Sequence, residues 1–343
     1  MVKMGSWPAE VNEVKLRGVF VELPDEVNRH ISSFVTRAGD LAHVRETNTT
    51  GIQSIAPEKM QAIKEAWMAL TRAPWYIGRN EIRTITELNR PVTRPGSGGA
   101  DITNADMDHF ALAVSTGALE SLERLGLYGN QIGDAGMRAL STALAGGAMA
   151  KCQMLNFTKN NIEAAGMVAF AEACAGGARL QLTKLWLGAN AIGDDGVSAL
   201  AGACASGVMA KCTILNLDSN MIGDQGLEAL SGALATGALA RLIDLWLLNN
   251  QIGDAGVRAL AGACDNGGLG LLRELWLNNN NIGDTGLEAL TGALAKGALA
   301  QLDTLGLKGN PASRPAKQAA KAAISNRKNS GFSVSVTSVR QGY

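Results

Sequence analysis

Several things are scarce in this 343-residue chain, and each scarcity removes a class of protein. Aromatic residues make up only 4%, and there are 8 prolines and 3 histidines. With His30, His43 and His109 as the whole supply, none spaced with Cys or acids as metal ligands are, zinc sites and Cys-His catalysis lack their materials. Cysteine numbers 5, an odd count in a chain large enough to need no staples, so a disulfide framework is not expected. No apolar run approaches the roughly 18 residues of a spanning helix, and the start MVKMGSWPAEVNE carries no signal-like stretch. A reducing, cytosolic setting is the expectation. Net charge is also missing, with 31 basic and 31 acidic groups, so no whole-molecule field argues for nucleic acid or an anionic membrane.

That balance hides a division. Residues 1–100 carry 13 basic and 11 acidic groups, 101–310 carry 12 and 20, and 311–343 carry 6 and none. What the chain has in excess is glycine, 41 residues, about 12% against an average of roughly 7%. Apolar residues at 46% can build a sizeable core, so those glycines belong to an ordered structure.

A repeat accounts for them. Asn recurs at 130, 160, 190, 220, 250, 280 and 310, a period of thirty without a slip. Before each stands L-x-x-L-x-L, as Leu122, Leu125 and Leu127, with Cys152 and Cys212 at the first position of two copies and Phe157 closing one. After each comes Ile, from Ile132 to Ile282, and Gly recurs in the series of 117 and of 136. The closing Leu pair alternates at period two, which predicts a short strand with those residues inward. The Asn after it predicts an amide ladder between coils. Asp134, Asp194, Asp224, Asp254 and Asp284 precede an apolar-periodic stretch, which predicts that each is the N-cap of its own helix. Met137, Leu140 and Leu144 share one face of that helix, and the Gly of the 147 series closes it in a left-handed conformation. Cys174, Cys204 and Cys264 take the Leu144 position, so all five cysteines read as core. One copy departs at the turn, with Asn161, Glu163 and Ala164 where others have x-I-G-D, so its helix start is less clearly marked.

The pattern L-x-x-L-x-L-x-x-N-x-I-G-D-x-G-x-x-A-L resembles the leucine-rich repeats of the ribonuclease-inhibitor type. That resemblance spans residues 101–310 and implies an α/β solenoid, a curved horseshoe with parallel strands on the concave face and helices on the convex one. It implies binding of other macromolecules and no single activity. Similar units occur in the Ran GTPase-activating proteins, which makes Ran-type GTPase activation an alternative. Here the tail is basic where that family's is acidic.

If the Leu residues point inward, the middle residue of L-x-L faces the concave surface. That column reads Gly126, Asn156, Trp186, Asn216, Trp246, Trp276, Gly306 and holds three of the six Trp. Neighbouring strands lie about 4.8 Å apart, which predicts that Trp246 and Trp276 are adjacent. Exposed indoles on a concave sheet suit a partner hot spot. Two residues on, the column runs Tyr128, Thr158, Gly188, Asp218, Leu248, Asn278, Lys308. Two residues before, it runs Arg124, Met154, Lys184, Ile214, Asp244, Glu274, Thr304, drifting from basic to acidic. The expected protein-binding residues are Trp186, Trp246, Trp276, Asn156, Asn216, Tyr128, Asp218, Asp244 and Glu274.

The ends differ from the array. Residues 1–90 are expected to form a helical segment, with Val27, Ile31, Phe34 and Val35 on one face and Met60, Ile63, Trp67 and Leu70 on another. Its start, Leu23-Pro24-Asp25-Glu26, is similar to an F-box, which implies docking onto a Skp1-type adaptor of a ubiquitin ligase. Where that family carries an apolar residue and then Trp, this chain has Thr47-Asn48-Thr49-Thr50-Gly51, and a generic helical cap explains the same residues. Residues 91–100, PVTRPGSGGA, are expected to be a linker, with the array opening on half a unit at 101. Residues 311–343 are expected to hold a basic capping helix from about Pro315 to Arg327 and a flexible tail. No G-x-x-x-x-G-K-S/T phosphate loop occurs, one carboxylate per coil cannot assemble the six to eight oxygens calcium prefers, and no cofactor is expected. The whole reads as a non-enzymatic, cytoplasmic interaction scaffold whose concave face receives a protein.

Overall fold

A computed structural model describes residues 101–328 continuously, together with 86–89 and the helical positions 62, 65, 66 and 69. The F-box-like residues and the 329–343 tail lie outside the described residues.

Each repeat spends three residues on a strand, the first Leu of L-x-L with one residue on either side. The strands are β1 (Glu87–Asn89), β2 (Arg124–Gly126), β3 (Met154–Asn156), β4 (Lys184–Trp186), β5 (Ile214–Asn216), β6 (Asp244–Trp246), β7 (Glu274–Trp276) and β8 (Thr304–Gly306). They form one parallel sheet in sequence order, every thirtieth residue in register. Between them run α1 (Asn104–Ser115), α2 (Asp134–Ala145), α3 (Ala164–Ala175), α4 (Gly193–Ala205), α5 (Asp224–Ala235), α6 (Asp254–Asp265) and α7 (Asp284–Ala295), with α8 (Arg314–Lys328) after the last strand. The result is a curved leucine-rich-repeat solenoid.

The core is one continuous column. Leu125, Leu155, Leu185, Leu215, Leu245 and Leu275 are fully buried, facing Met137, Leu140 and their counterparts from the helices. Cys152, Cys174, Cys204, Cys212 and Cys264 are buried and free, and burial pushes their thiols up to about 11 or 12, so they stay neutral and inert.

The amide ladder forms between coils. Asn130 Oδ1 accepts the Ile102 N–H at 2.9 Å, Asn160 that of Ile132 at 3.0 Å, and so on to Asn310 and Ile282 at 3.1 Å. Each amide also donates backwards, as Asn160 does to Leu127 O at 2.8 Å. A buried backbone group left unpaired is costly, so the invariant spacing of thirty follows from the ladder.

The aspartates do something other than the sequence suggests. Gly133, not Asp134, is the N-cap of α2, and Asp134 is its first helical residue. Its carboxylate instead caps the next helix, Oδ1 accepting the N–H groups of Glu163 and Gly166, each at 2.8 Å. Asp224 does the same for Gly253 and Gly256, and Asp254 for Gly283 and Gly286. Asn104 opens the series at Gly133 and Gly136, and Asp284 ends it at Ser313. The Gly of the 136 series is required by the same contact: a Cβ on Gly226 would come 2.6 Å from Asp194 Oδ1.

This relay relocates the irregular copy. α3 is capped by Asp134 in the ordinary way, and the missing carboxylate at Ala164 is felt one helix later. α4 starts a residue early, with Ile192 helical at φ −65° and Gly193 left-handed at φ +62°. The ladder stretches there too, Ile192 N to Asn220 Oδ1 being 3.5 Å.

At the N-terminal end, β1 pairs in parallel with β2, Leu88 opposite Leu125. The sheet thus takes a strand from upstream of the segment read as a linker. The two leucines are thirty-seven positions apart, so residues 91–100 hide this strand from a search at period thirty. Thr103 and Asp106 form a capping box at the start of α1. At the other end α8 packs on α7, burying Ala320 and Ile324, and Lys317 Nζ donates to Asn310 O at 2.6 Å.

Candidate functional site

Residues two apart on a strand share a face, so each of β3 to β7 offers two side chains to the concave surface, β2 and β8, which end in Gly126 and Gly306, offer one, and the loop after each strand adds a third position. On β6 the pair is Asp244 and Trp246, and on β7 it is Glu274 and Trp276. Parallel pairing puts Asp244 opposite Glu274 and Trp246 opposite Trp276. All four are half-buried.

The indoles do not stack on their strand neighbours. Trp186 and Trp246, two strands apart, meet edge to face with ring centroids 5.4 Å apart and planes at 73°. Asn216 lies in register between them and is 3% exposed, roofed by the two rings. Trp276 leans the other way, toward Gly306, where a Cβ would approach its Cε3 to 2.7 Å. Its N–H donates to Glu274 Oε2 at 2.9 Å. Adjacency of Trp246 and Trp276 therefore holds for the backbone, while the aromatic contact is with Trp186. The Trp246 Nε1 donor is shielded from solvent and has no acceptor among the described residues.

Burial raises two carboxyls on this face. Asp218 is pushed up to about 7, chiefly by desolvation, against the lowering effect of hydrogen bonds from Leu248 N–H and the Asn216 side chain. Its Oδ1 accepts Leu248 N–H at 2.8 Å. Asp244 is pushed up to about 6 by desolvation and then by the charge of Glu274, with Lys184 and Arg273 pulling the other way. Lys184 shares the column of Asp244, with Ile214 between them. Among the described residues neither Asp244 nor Glu274 forms an ion pair.

Tyr128 stands apart on the loop after β2, while Asn156 on β3 lies in register beside Trp186. The Lys159 ammonium lies 5.2 Å from the Tyr128 ring centroid, so that aromatic face already has a cation. Asn156 Oδ1 accepts Thr158 N–H at 3.0 Å and is half-buried. Of the nine expected residues, the structure gathers Asn156, Trp186, Asn216, Asp218, Asp244, Trp246, Glu274 and Trp276 on β3 to β7 and the loop after β5, leaving Tyr128 at the edge. Asn278 was not singled out by pattern, yet its Oδ1 is buried without a partner in the column of Asp218. Among the described residues no group of three or more His, Cys, Asp or Glu could hold a metal ion.

A family model described as "Leucine Rich repeat" matches residues 118–141, 182–201, 213–231, 247–261 and 271–290. The described array is built of leucine-rich repeats. No curated protein matches the chain. Solved structures similar to it include an internalin from Listeria monocytogenes, 18% identical, covering 77% of this chain and 92% of that one with a TM-score of 0.28. A leucine-rich-repeat protein from Leptospira interrogans is 16% identical, covering 63% and 55% with a TM-score of 0.35. A TDR receptor is 15% identical, covering 58% and 32% with a TM-score of 0.33. Among the described residues, no helix is long and apolar enough to cross a membrane.

Proposed function

We propose that this protein is a non-enzymatic binding scaffold whose concave face, centred on β4 to β7, receives a protein partner. The observation that carries this reading is the row of half-buried indoles, Trp186, Trp246 and Trp276, held on a rigid sheet with carboxylates beside them. Indoles on a preorganised surface give large contact area at little ordering cost, as hot spots require. The repeats are of the ribonuclease-inhibitor type on this reading, each carrying a full convex helix of 12 or 13 residues. Five free, buried cysteines suit a cytoplasmic setting. Docking of a Skp1-type adaptor through residues 1–90 is a separate proposal that concerns residues outside those described.

The test places a photoreactive side chain at position 248 on the concave face and, separately, at position 258 on the exposed side of α6. Cross-linking to a partner from 248 and not from 258 is the expected result. The reverse would overturn the reading.

A further inference from the structure

We infer that the paired acid and indole rows of β6 and β7 seat an arginine or lysine side chain of a basic, extended segment of the partner. This rests on the concave-face reading and names the chemistry of the segment that binds there. Asp244-Leu245-Trp246 and Glu274-Leu275-Trp276 present the same order, acid then indole, on adjacent strands in register. Two acidic positions one strand spacing apart thus lie beside two indole positions at the same spacing, whose rings lean apart, Trp246 toward Trp186 and Trp276 toward Gly306.

Like charges side by side on a half-buried surface repel, and here no cation of the described chain is paired with them. The nearest basic influences are Lys184, across Ile214, and Arg273. A guanidinium or ammonium placed between the two rows would relieve that repulsion. It would also lie against indole faces, where a cation within about 6 Å of a ring centroid is attracted. The Tyr128 ring, with Lys159 over it, shows the same preference already satisfied within the chain at the other end of the sheet. An acidic segment would meet three carboxylates, Asp218, Asp244 and Glu274, on the surface it must cover. The charge complement is therefore a basic segment, in keeping with the 20 acidic against 12 basic groups of residues 101–310.

Two outcomes separate this inference from the reading beneath it. The probe is a synthetic nine-residue peptide alternating arginine and serine, titrated into the full chain and followed by calorimetry and tryptophan emission. Its controls are the same peptide with citrulline, which keeps the shape and removes the charge, and with glutamate. The arginine peptide should bind and perturb emission, the citrulline peptide should bind at least about tenfold more weakly, and the glutamate peptide should not bind. In the double variant Asp244→Asn/Glu274→Gln, whose amide at 274 can still accept from Trp276, affinity should fall at least about tenfold with the unfolding temperature unchanged or raised. Equal binding of arginine and citrulline peptides, no binding of the arginine peptide at millimolar concentration, or unaltered affinity in the double variant would overturn it. So would self-association of the chain that this variant abolishes, which would make a second copy the occupant. Any of those results with cross-linking still confined to position 248 leaves the concave-face reading standing, whereas cross-linking from 258 removes both.

Discussion

Trp186 and Trp246 touch edge to face at 5.4 Å across an intervening strand, and Asn216 lies beneath them. The pair makes a ridge on the concave sheet. A double-mutant cycle with Trp186→Ala and Trp246→Ala should report a coupling of about 0.5–1.5 kcal/mol in unfolding free energy. Strict additivity would mean that the two rings are independent.

The helix relay sets a second expectation. Asp224→Ala should destabilise by about 0.5–2 kcal/mol, and the loss should fall on α6, whose Gly253 and Gly256 N–H groups it satisfies, not on α5 where it resides. Hydrogen exchange resolved by peptide distinguishes the two. Ala164→Asp should do the opposite, supplying the carboxylate that α4 lacks and slowing exchange at residues 193–197.

Two glycines on α5 should respond in opposite senses to alanine. Gly226→Ala drives a methyl into the Asp194 carboxylate and should cost about 1–3 kcal/mol. Gly232 has nothing within 4 Å of its would-be Cβ, so Gly232→Ala should stabilise by about 0.4–1 kcal/mol. Thermal unfolding of the two variants decides it, and equal shifts would contradict the relay.

The raised carboxyls fix a pH dependence. An acid whose folded pKa lies above its unfolded value binds more protons when folded, so it contributes stability at low pH that is lost as pH rises through the folded pKa. Asp218, from 3.8 to about 7, and Asp244, from 3.8 to about 6, both have this sign. Asp218→Asn should therefore raise the unfolding temperature most at pH 8, clearly less at pH 5, and hardly at all below the unfolded value of 3.8. Affinity for a cationic peptide should rise from pH 5 to 7.5 as these groups ionise, and melts and titrations at both pH values check it.

The solenoid was legible in the sequence because each copy states its own strand, amide and helix face in local spacing. Leu125, Asn130 and Met137 each occupy the expected place. The capping relay was not, because Asp134 opens one helix and serves another whose N–H groups are 29 and 32 residues away. Both assignments share one sequence pattern. β1 was hidden by residues 91–100, which shift Leu88 out of period. On the concave face the columns were readable, since register fixes where each Cα stands. Which way an indole leans depends on its neighbours' side chains, so the Trp186 contact and the roofing of Asn216 were not.

The most direct measurement is partner capture by the full chain compared with Trp246→Ala/Trp276→Ala, with unfolding temperatures recorded for both. The account predicts that the double variant stays folded, its unfolding temperature lowered by only the few degrees that the lost Trp186 contact and Glu274 hydrogen bond are worth, and loses most of its captured partner. Undiminished capture by that variant would contradict it.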